Sequence, residues 1–289
     1  MYTRSGLRVR LARPGSELIV APLALDALSA ALARRVGFSA VYLGGGGLGY
    51  QRAVTEALLT ASELAEATRA ITERVDVAVI VDGGVGFGDA VHMARTIRLL
   101  EDAGAAAVEI EDQVAPKRAH HHKGVEHLVS AEEMAGRIRA ASEARRTKDL
   151  VLIVRCNAFA HEGIEATLER LAIYEDAGAD MLMPMARGAD QFAAATRGST
   201  VPLAAMVIGT GRPVVELLSA GYALSVDPMS AQVLAFRAMK AGYEGILSGE
   251  GFGMTRAEVL EVIHEIGETM SIGSLYDIEA RTTERQAYD

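Results

Sequence analysis

The stretches E-D-A-G-A-A-A-V-E-I at residues 101–110 and E-D-A-G-A-D-M-L-M-P at residues 175–184 share one pattern. Each begins with the polar end of an amphipathic helix, continues through a glycine and ends in a short apolar run. A glycine at this place is typical of a helix C-terminus, where the backbone turns left-handed. The same pattern occurs at residues 34–43, R-R-V-G-F-S-A-V-Y-L, and 218–227, L-S-A-G-Y-A-L-S-V-D. It predicts a helix followed by a strand, repeated along the chain.

Further apolar runs at residues 18–21, 77–81, 150–154 and 201–207 raise the number of expected strands to about eight. Strands that are covered by helices on both faces are apolar along their whole length, as these runs are. Eight strands alternating with helices predict an α/β fold, a (β/α)₈ TIM barrel, with a doubly wound open sheet as the alternative. Because no linker rich in proline or serine interrupts the series, we expect one domain over residues 1–289.

The composition limits the classes of function. The chain has 289 residues and a net charge of −9, so it lacks the excess of lysine and arginine that non-specific nucleic-acid binding needs. No apolar run approaches the roughly 20 residues that span a bilayer, and the first 14 residues lack the apolar core of a signal peptide. The single cysteine, Cys156, excludes an intrachain disulfide and fits a reducing compartment. We therefore expect a cytoplasmic protein that binds neither nucleic acid nor membrane.

In a (β/α)₈ barrel the active site lies where the strands end and the following loops begin. Polar residues and glycines follow the expected strands at these positions: Gly44–Gly47, Asp82–Gly88, Glu111-Asp112, Arg155-Cys156-Asn157, and Ser225 with Asp227. Barrel closure would bring these distant positions to one mouth. We place Tyr42, Gly44, Gly45 and Asn157 among the substrate-binding candidates there, because a glycine-rich run lets backbone N–H groups approach a carboxylate.

Two acidic residues at strand ends are candidate metal ligands. Asp82 is followed by small residues that leave room for the waters of an octahedral Mg²⁺ or Mn²⁺ ion, and Glu111 is the natural second carboxylate. A metal held in this way can align and polarise a 2-keto or 2-hydroxy acid. The alternative for Asp82 is a purely structural role, as an Asx turn or a helix N-cap.

Cationic residues near the same strand ends could bind an anionic substrate. Arg155 leaves an apolar strand, and its planar guanidinium matches a carboxylate in a bidentate way. Its alternative is an ion pair with Glu109 or Glu111 inside the mouth, and both roles could coexist. Lys117 and Arg118 are candidates to bind a second carboxylate or, alternatively, to solvate a mobile lid.

Three consecutive histidines, His120, His121 and His122, follow these cations. Adjacent side chains cannot readily surround one zinc ion, so proton transfer by His120 or His121 is the favoured function. The alternative is a set of exposed loop histidines.

The C-terminal region lies outside the strand and helix series. Thr255 and Glu258 have the spacing of a helix capping box, which predicts a helix to Met270 and a second short helix after Ile272. We expect residues 255–289 to form a helical extension whose apolar side chains pack against the barrel or a neighbouring subunit.

Nearly the whole chain resembles the isocitrate lyase/phosphoenolpyruvate mutase superfamily, closest to its 2-methylisocitrate lyase branch. Four motifs carry the resemblance: V-D-G-G-V-G-F-G at 81–88, I-E-D-Q-V-A-P-K-R at 110–118, V-S-A-E-E-M-A-G-R-I-R-A-A at 129–141, and E-G-I-E-A-T-L-E-R-L-A-I-Y-E-D-A-G-A-D at 162–180. The resemblance implies Mg²⁺ and a small carboxylic acid in the barrel mouth, and a terminal helix exchanged between subunits of a homodimer or homotetramer. It also implies metal binding by Asp82 and Glu111, loop gating by Lys117, and substrate binding by Arg155, Gly44 and Gly45.

Several residues depart from the lyase pattern. The catalytic cysteine of the lyase motif K-R-C-G-H is replaced by Ala119, the second acid of D-x-D by Gly84, and a common aspartate by Asn157. Met185 and residues 205–208 (A-M-V-I) stand where tricarboxylate lyases use polar residues. An apolar wall would leave the charges of a tricarboxylate unpaired, so a smaller or more apolar substrate is expected. His120 or His121 would then supply the acid that the cysteine provides elsewhere.

These observations leave several functions open. The favoured one is a Mg²⁺-dependent lyase that cleaves a C–C bond of a small 2-hydroxy or 2-keto acid by a retro-aldol reaction, through a metal-stabilised enolate. An oxaloacetate-type decarboxylase is a competitor, because it depends less on the missing thiol. A phosphonate mutase or hydrolase is a third possibility. A different class is a degenerate barrel that binds a ligand without catalysis.

Overall fold

The computed structural model describes residues 4–11, 17–208 and 214–284 of the chain. Eight parallel strands form one sheet in the order β1-β8-β7-β6-β5-β4-β3-β2. They are β1 (Ile19–Ala21), β2 (Ala40–Leu43), β3 (Ala78–Asp82), β4 (Ala107–Glu111), β5 (Val151–Cys156), β6 (Met181–Pro184), β7 (Leu203–Met206) and β8 (Tyr222–Val226). The edges formed by β1 and β2 meet, because Tyr42 N–H donates to the Pro22 carbonyl and Ala24 N–H to the Tyr42 carbonyl, each over 2.9 Å.

Helices separate the strands. They are α1 (Arg4–Leu11), α2 (Ala27–Val36), α3 (Gly45–Gln51), α4 (Ala61–Thr72), α5 (Ala90–Asp102), α6 (Ala131–Ala144), α7 (Gly163–Asp176), α8 (Ala189–Gly198), α9 (Val214–Ser219), α10 (Ser230–Ser248), α11 (Arg256–Thr269) and α12 (Gly273–Arg281). Short 3₁₀ turns occur at Glu56–Leu58, Ala119–Lys123 and Ala158–Ala160. The predicted (β/α)₈ barrel is confirmed, and the open-sheet alternative is wrong.

The glycines of the repeated pattern end the helices as predicted. Gly104 follows α5 with φ of 101° and Gly178 follows α7 with φ of 108°. These positive values are costly for residues with a Cβ, which explains the glycine at the same place in each unit.

Alternation along the strands divides the buried side chains between the barrel interior and the shell of helices. Ile80, Ile153 and Met183 pack inside the barrel with Leu7 of α1, a helix that the sequence analysis did not predict. The neighbouring positions face the helices, and Cys156 is buried among them as expected for a packing residue. Because positions two apart share a face of a strand, Glu109 and Glu111 both point into the barrel.

The predicted C-terminal helix and its capping box are confirmed. Thr255 accepts from the Glu258 N–H, and the Glu258 side chain accepts from the Thr255 N–H. None of α10, α11 and α12 contains a buried residue. Residues 285–289 of the predicted extension, and residues 1–3 and 12–14 of the N-terminal segment, lie outside the described part of the chain. Among the described helices, none is long and apolar enough to cross a membrane.

Candidate active site

Strand register brings the three main candidate residues to one edge of the barrel. Asp82 at the end of β3 is aligned with Glu109 of β4, and Glu111 at the end of β4 is aligned with Arg155 of β5. All four side chains are at least largely buried. The sequence analysis predicted this convergence of Asp82, Glu111 and Arg155 from the strand ends alone.

Asp82 is held by two backbone groups. Its Oδ1 accepts from the Gly84 N–H over 2.9 Å, and its Oδ2 accepts from the Gly45 N–H over 3.1 Å. The first contact is the Asx turn that the sequence analysis named as the alternative role. Burial and the neighbouring carboxylates of Glu56 and Glu111 raise the pKa of Asp82, while Lys117 opposes this shift. Asp82 therefore forms a structural turn and also lines the cavity described below.

Lys117 lies among the carboxylates rather than in solvent. Its Nζ is 2.8 Å from Glu56 Oε1 and 2.5 Å from Glu111 Oε1. Burial opposes the charge of the ammonium, but the two carboxylates more than offset this effect and raise the pKa of Lys117. Glu111 itself stays ionised, because Lys117 and Arg155 lower its pKa in spite of its burial.

Glu56 is a site residue that the sequence analysis missed. It lies on the 3₁₀ turn after α3, outside the strand ends, and contacts both Lys117 and His121. Burial raises its pKa, but the hydrogen bond from His121 and the charge of Lys117 bring the pKa well below the ordinary value. The one signal in the sequence was an acid beside Thr55, where the family has an aspartate. We call Asp82, Glu111 and Glu56 the acid cluster.

The loop of residues 115–124, called the histidine loop below, covers the acid cluster. Only some of its histidines make contacts there. His121 Nε2 is 2.6 Å from Glu56 Oε1, and His121 Nδ1 is 2.7 Å from the Arg118 carbonyl. Because both partners are acceptors, both ring nitrogens must donate, and the imidazole is cationic. The hydrogen bond to Glu56 raises the pKa of His121 accordingly. His122 Nε2 contacts Thr55 Oγ1 over 2.7 Å.

His120 differs from its neighbours. Its side chain is exposed, and no polar contact joins it to the acid cluster within the described residues. The structure therefore places His121, but not His120, at the site.

Arg155 and Asn157 form the opposite side of the mouth. Arg155 Nε donates to Asn157 Oδ1 over 3.0 Å and lies 3.5 Å from Glu111 Oε2, and its Nη1 lies 3.7 Å from Glu109 Oε1. Burial by itself would lower the pKa of Arg155, but the charges of Glu111 and Glu109 raise it above the ordinary value, so the guanidinium stays charged. The ion pairs that were the alternative role of Arg155 are present, and Nη2 takes part in none of these contacts.

Glu109 entered the sequence analysis only as a possible ion-pair partner of Arg155 inside the mouth. It is fully buried on β4, where Oε2 accepts from the Tyr42 hydroxyl over 2.8 Å. Its Oε1 has no hydrogen-bond partner among the described residues. Burial, with a smaller contribution from Asp82, raises the pKa of Glu109 to about 8. Tyr42, a substrate-binding candidate, is itself fully buried and directed at this acid.

Gly44 and Gly45 form the start of α3 rather than an open loop. The Gly45 N–H is directed at Asp82, so its contact with a substrate carboxylate stays a prediction. A Cβ on Gly45 would lie 3.2 Å from Asp82 Oδ2 and 3.3 Å from Glu56 Oε2. The missing side chain therefore leaves space between these two carboxylates.

A cavity of about 320 Å³ opens beside Asp82, Glu56 and Lys117. Its remaining wall is largely apolar, with Leu59, Leu64, Val85, Phe87 and Pro116. Beyond β5 in the barrel, Met185 and Met206 pack against the interior cluster at the ends of β6 and β7. The charged groups are thus concentrated on the side of β3, β4 and β5.

The residue types of the acid cluster fit a magnesium or manganese ion. All three side chains offer carboxylate oxygens, which these hard cations prefer, and Gly45 leaves room between two of them. In the arrangement observed, no three histidine, cysteine or acidic residues of the described ranges are grouped closely enough to hold a metal. The Lys117 ammonium lies among these acids instead.

A sequence model of the family described as phosphoenolpyruvate phosphomutase matches residues 7–247. The chain belongs to this family. The resemblance to the isocitrate lyase/phosphoenolpyruvate mutase superfamily that the motifs indicated is thereby confirmed.

Curated relatives and a solved structure of the superfamily cover almost the same length. A 2-methylisocitrate lyase of Aeropyrum pernix is 37% identical over 97% of this chain and 91% of its own. A 2,3-dimethylmalate lyase of Eubacterium barkeri is 34% identical over 91% of this chain and 93% of its own. The structure of a phosphonopyruvate hydrolase in complex with oxalate and Mg²⁺ is 29% identical, with a TM-score of 0.85 over 97% of this chain and 99% of that one.

Membership of the superfamily confirms the expectation of an enzyme, since the two curated relatives are C–C lyases. The named relatives act on small carboxylic acids. The metal, the substrate and the roles of individual residues are matters for the proposal that follows.

Proposed function

We propose that this superfamily member is a Mg²⁺-dependent lyase that cleaves a C–C bond of a small 2-hydroxy or 2-keto carboxylic acid by a retro-aldol reaction. The observation that carries the proposal is the grouping of Asp82, Glu111, Lys117 and Arg155 at the ends of three adjacent strands and under one loop. This grouping offers oxygen ligands for a cation on one side and a guanidinium for an anion on the other.

Asp82 and Glu111 would hold the cation, with Mn²⁺ as the alternative to Mg²⁺. When bound, the metal would supply the positive charge that polarises the C2 oxygen and the adjacent carboxylate of the substrate. The Gly45 and Gly84 N–H groups orient the Asp82 carboxylate, so little reorganisation is needed. Gly44 and Gly45 line the approach to this carboxylate.

Arg155 would bind a substrate carboxylate. Its Nε is fixed by Asn157 and its Nη1 lies near Glu109, which leaves Nη2 to face a ligand. Asn157 also donates to Asp112 Oδ1 and Glu111 Oε2, so a single side chain sets the positions of the cationic and the acidic residues. Tyr42 donates a hydrogen bond to Glu109, which lies beside Arg155.

The histidine loop would supply protons. His121 is cationic in this geometry and lies next to Lys117, whereas the residue at the position of the family cysteine is Ala119. A protonated imidazole can donate a proton to a developing carbanion at neutral pH. We therefore assign the acid to His121, while a role for His120 stays a prediction without a supporting contact.

The distribution of charge supports an alkyl-substituted substrate. Met185 and Met206 lie at the ends of β6 and β7, beyond the β5 strand of Arg155, and pack against the apolar interior cluster, so a third carboxylate would meet apolar side chains there. We infer a dicarboxylate with an apolar substituent, of the kind that a 2,3-dimethylmalate lyase acts on, in preference to a tricarboxylate such as 2-methylisocitrate.

Decarboxylation of an oxaloacetate-type acid is the second candidate, favoured by Ala119. This reaction uses the Arg155 contact and the metal, and it depends less on a strong acid in the loop. Released CO₂ without an aldehyde or a second carboxylic acid would identify it.

The experiment is a screen of 2-alkylmalates, 2,3-dimethylmalate, 2-methylisocitrate, oxaloacetate and phosphonopyruvate with Mg²⁺, in which the products are separated and quantified. We expect cleavage of an alkyl-substituted malate that EDTA and Asp82→Asn abolish, while Asp149→Asn, an exposed control, retains it. Turnover that survives both EDTA and Asp82→Asn would contradict the metal-dependent mechanism. No turnover of any compound would favour the ligand-binding alternative.

We also propose a homodimer or homotetramer in which the C-terminal helices pack against another subunit. The apolar side chains of α10 are exposed, with Phe236 at 64% and Leu247 at 90% exposure. Such a long unpartnered apolar helix is unfavourable in water. One domain over residues 1–289, a cytoplasmic location and the absence of nucleic-acid partners stay predictions of the sequence.

A further inference from the structure

The acid cluster already contains a cation that belongs to the protein. Lys117 Nζ is within 2.8 Å of both Glu56 Oε1 and Glu111 Oε1, and its side chain is only 9% exposed. The histidine loop that carries Lys117 is attached to the same cluster by His121, which contacts Glu56 over 2.6 Å.

The cations of this site already have acidic partners without a metal. Lys117 lies between Glu111 and Glu56, His121 contacts Glu56, and Arg155 lies near Glu111 and Glu109. A divalent ion added among these acids would bring further positive charge next to Lys117 in a largely buried place. Uncompensated buried charge is unfavourable, so either a resident cation leaves or an anion enters.

We propose that Lys117 is a tethered counter-ion of the acid cluster that a divalent cation displaces, so that metal entry loosens the histidine loop. This inference rests on the metal site proposed above. Of the three cations, Lys117 is the one that is both on a loop and directly between two acids, whereas Arg155 is fixed on β5 by Asn157.

The same charges give an order of events. With the metal in place and Lys117 displaced, the loop loses two ion pairs and opens the mouth to the substrate. A dicarboxylate then brings two negative charges, which compensate the metal and allow Lys117 to return. Once the metal is bound, closure of the loop would thus require a dianion as well.

The first test measures binding of Mn²⁺ alone by the electron paramagnetic resonance signal of the free ion. We expect Lys117→Gln to bind Mn²⁺ at least about tenfold more tightly than the wild type, because one positive charge has been removed from the cluster. Lys117→Arg keeps the charge and should resemble the wild type. Lys123→Gln, an exposed lysine of the same loop, is the matched control and should not change the affinity.

The second test follows the loop itself by tryptic cleavage after Arg118 and Lys123, with oxalate as the dianionic probe. We expect Mn²⁺ alone to accelerate cleavage severalfold in the wild type, and Mn²⁺ with oxalate to slow it again. In Lys117→Gln the rate should no longer respond to Mn²⁺ alone.

Outcomes that contradict the two proposals differ. If wild type and Lys117→Gln bind Mn²⁺ equally well, or if Mn²⁺ alone protects the loop, the displacement of Lys117 is refuted while the metal site stands. If neither protein binds Mn²⁺, although thermal denaturation shows both to be folded, the metal site and the displacement fail together. Binding by Lys117→Gln alone would be the strongest support for displacement.

Discussion

Asn157 is joined to Asp112 twice, since its backbone N–H and its side-chain Nδ2 each donate to Asp112 Oδ1 over 3.0 Å. Asp112 Oδ2 in turn accepts from the Tyr174 hydroxyl over 3.0 Å. The amide of Asn157 therefore has a fixed orientation, in which its oxygen accepts from Arg155 and its nitrogen donates to acids. Asn157, which replaces a common aspartate of the family, thus connects Asp112 and Tyr174 to Arg155 at the mouth of the barrel.

Asn157→Asp should destabilise the fold. The new carboxylate would lie against the buried Asp112 carboxyl without the donor that now joins them, at a cost of about 1–3 kcal/mol in the free energy of unfolding. Chemical denaturation at pH 7 measures this loss. Gln51→Glu, which adds the same charge at an exposed position, should change the free energy far less. Equal stability of the two variants would show that Asp112 does not need the amide donor.

Arg155→Lys should reduce catalysis much more than stability. Lysine keeps the positive charge for Glu111 and Glu109 but cannot hold Asn157 and a carboxylate at once, so we expect kcat/KM to fall on the order of 10- to 100-fold. Steady-state kinetics with the substrate found in the screen measure the effect. Arg139→Lys, on the exposed face of α6, is the control. An unchanged KM and kcat would remove Arg155 from the substrate site.

Glu109→Gln should flatten the pH dependence of stability in EDTA. The pKa of Glu109 is raised from 4.5 to about 8, so the folded chain retains a proton that the unfolded chain has lost. Its contribution is fully present below pH 4.5 and is lost as the pH rises through about 8, by up to about 1.4 kcal/mol per pH unit. Gln keeps an acceptor for Tyr42 but does not titrate. Melting temperatures between pH 5 and 9 should follow the same curve for wild type and for Glu169→Gln, an exposed control. For Glu109→Gln they should depend less steeply on pH.

His121 should make closure of the histidine loop depend on pH. Its pKa is raised above 6.5 by the hydrogen bond to Glu56, while burial and the Lys117 ammonium oppose this shift. The His122 ring packs beside it, and the pKa of His122 is itself lowered by burial and by His121. The contact is fully present below pH 6.5 and weakens as the pH rises through the raised value. Tryptic cleavage of the loop, corrected for the activity of trypsin on a peptide, should accelerate over that range.

The two adjacent histidines provide an internal control for this effect and for catalysis. His121→Asn should be cleaved rapidly at every pH and should lower kcat, whereas His120→Asn should behave as the wild type because its side chain is exposed. Equal effects of the two substitutions would contradict the assignment of the acid to His121.

Phe236→Glu with Leu247→Glu should reduce the oligomer to a monomer of 30.6 kDa. Two charges on the apolar face of α10 could not be buried against a second subunit without a large desolvation cost. Light scattering after size exclusion measures the mass. Val91→Glu, equally exposed at the start of α5, should leave the assembly intact. A wild type that is already monomeric would refute the proposed packing of the C-terminal helices.

The strand ends were predictable because they follow from local pattern. The pattern of helix, glycine and apolar run located four strands and further apolar runs located the other four, and the parallel arrangement then required Asp82, Glu111 and Arg155 to meet. The start of α3 was not predicted, because a run of glycines has weak helical propensity and only the surrounding strands and the Asp82 carboxylate hold it in that conformation.

Glu56 and Glu109 show what local pattern could not provide. Glu56 lies on a turn outside the strand series, and it belongs to the site only because the histidine loop folds back onto it. Glu109 is visible in the sequence as an acid in an apolar strand, but its retained proton depends on complete burial above Tyr42 and beside Asp82. The position of Glu56 cannot be derived from spacing along the chain, and the retained proton of Glu109 cannot be derived from it either.

The sequence by itself determined the barrel, the superfamily and the strand-end side chains at the mouth, because periodicity and strand ends are properties of neighbouring residues. Only the tertiary structure decided which of these side chains touch and what charge each one carries. It placed Lys117 between two acids, selected His121 over His120, and directed Asn157 at Arg155. Contacts between residues far apart in the chain, and the burial that shifts their pKa values, arise only when the strands close.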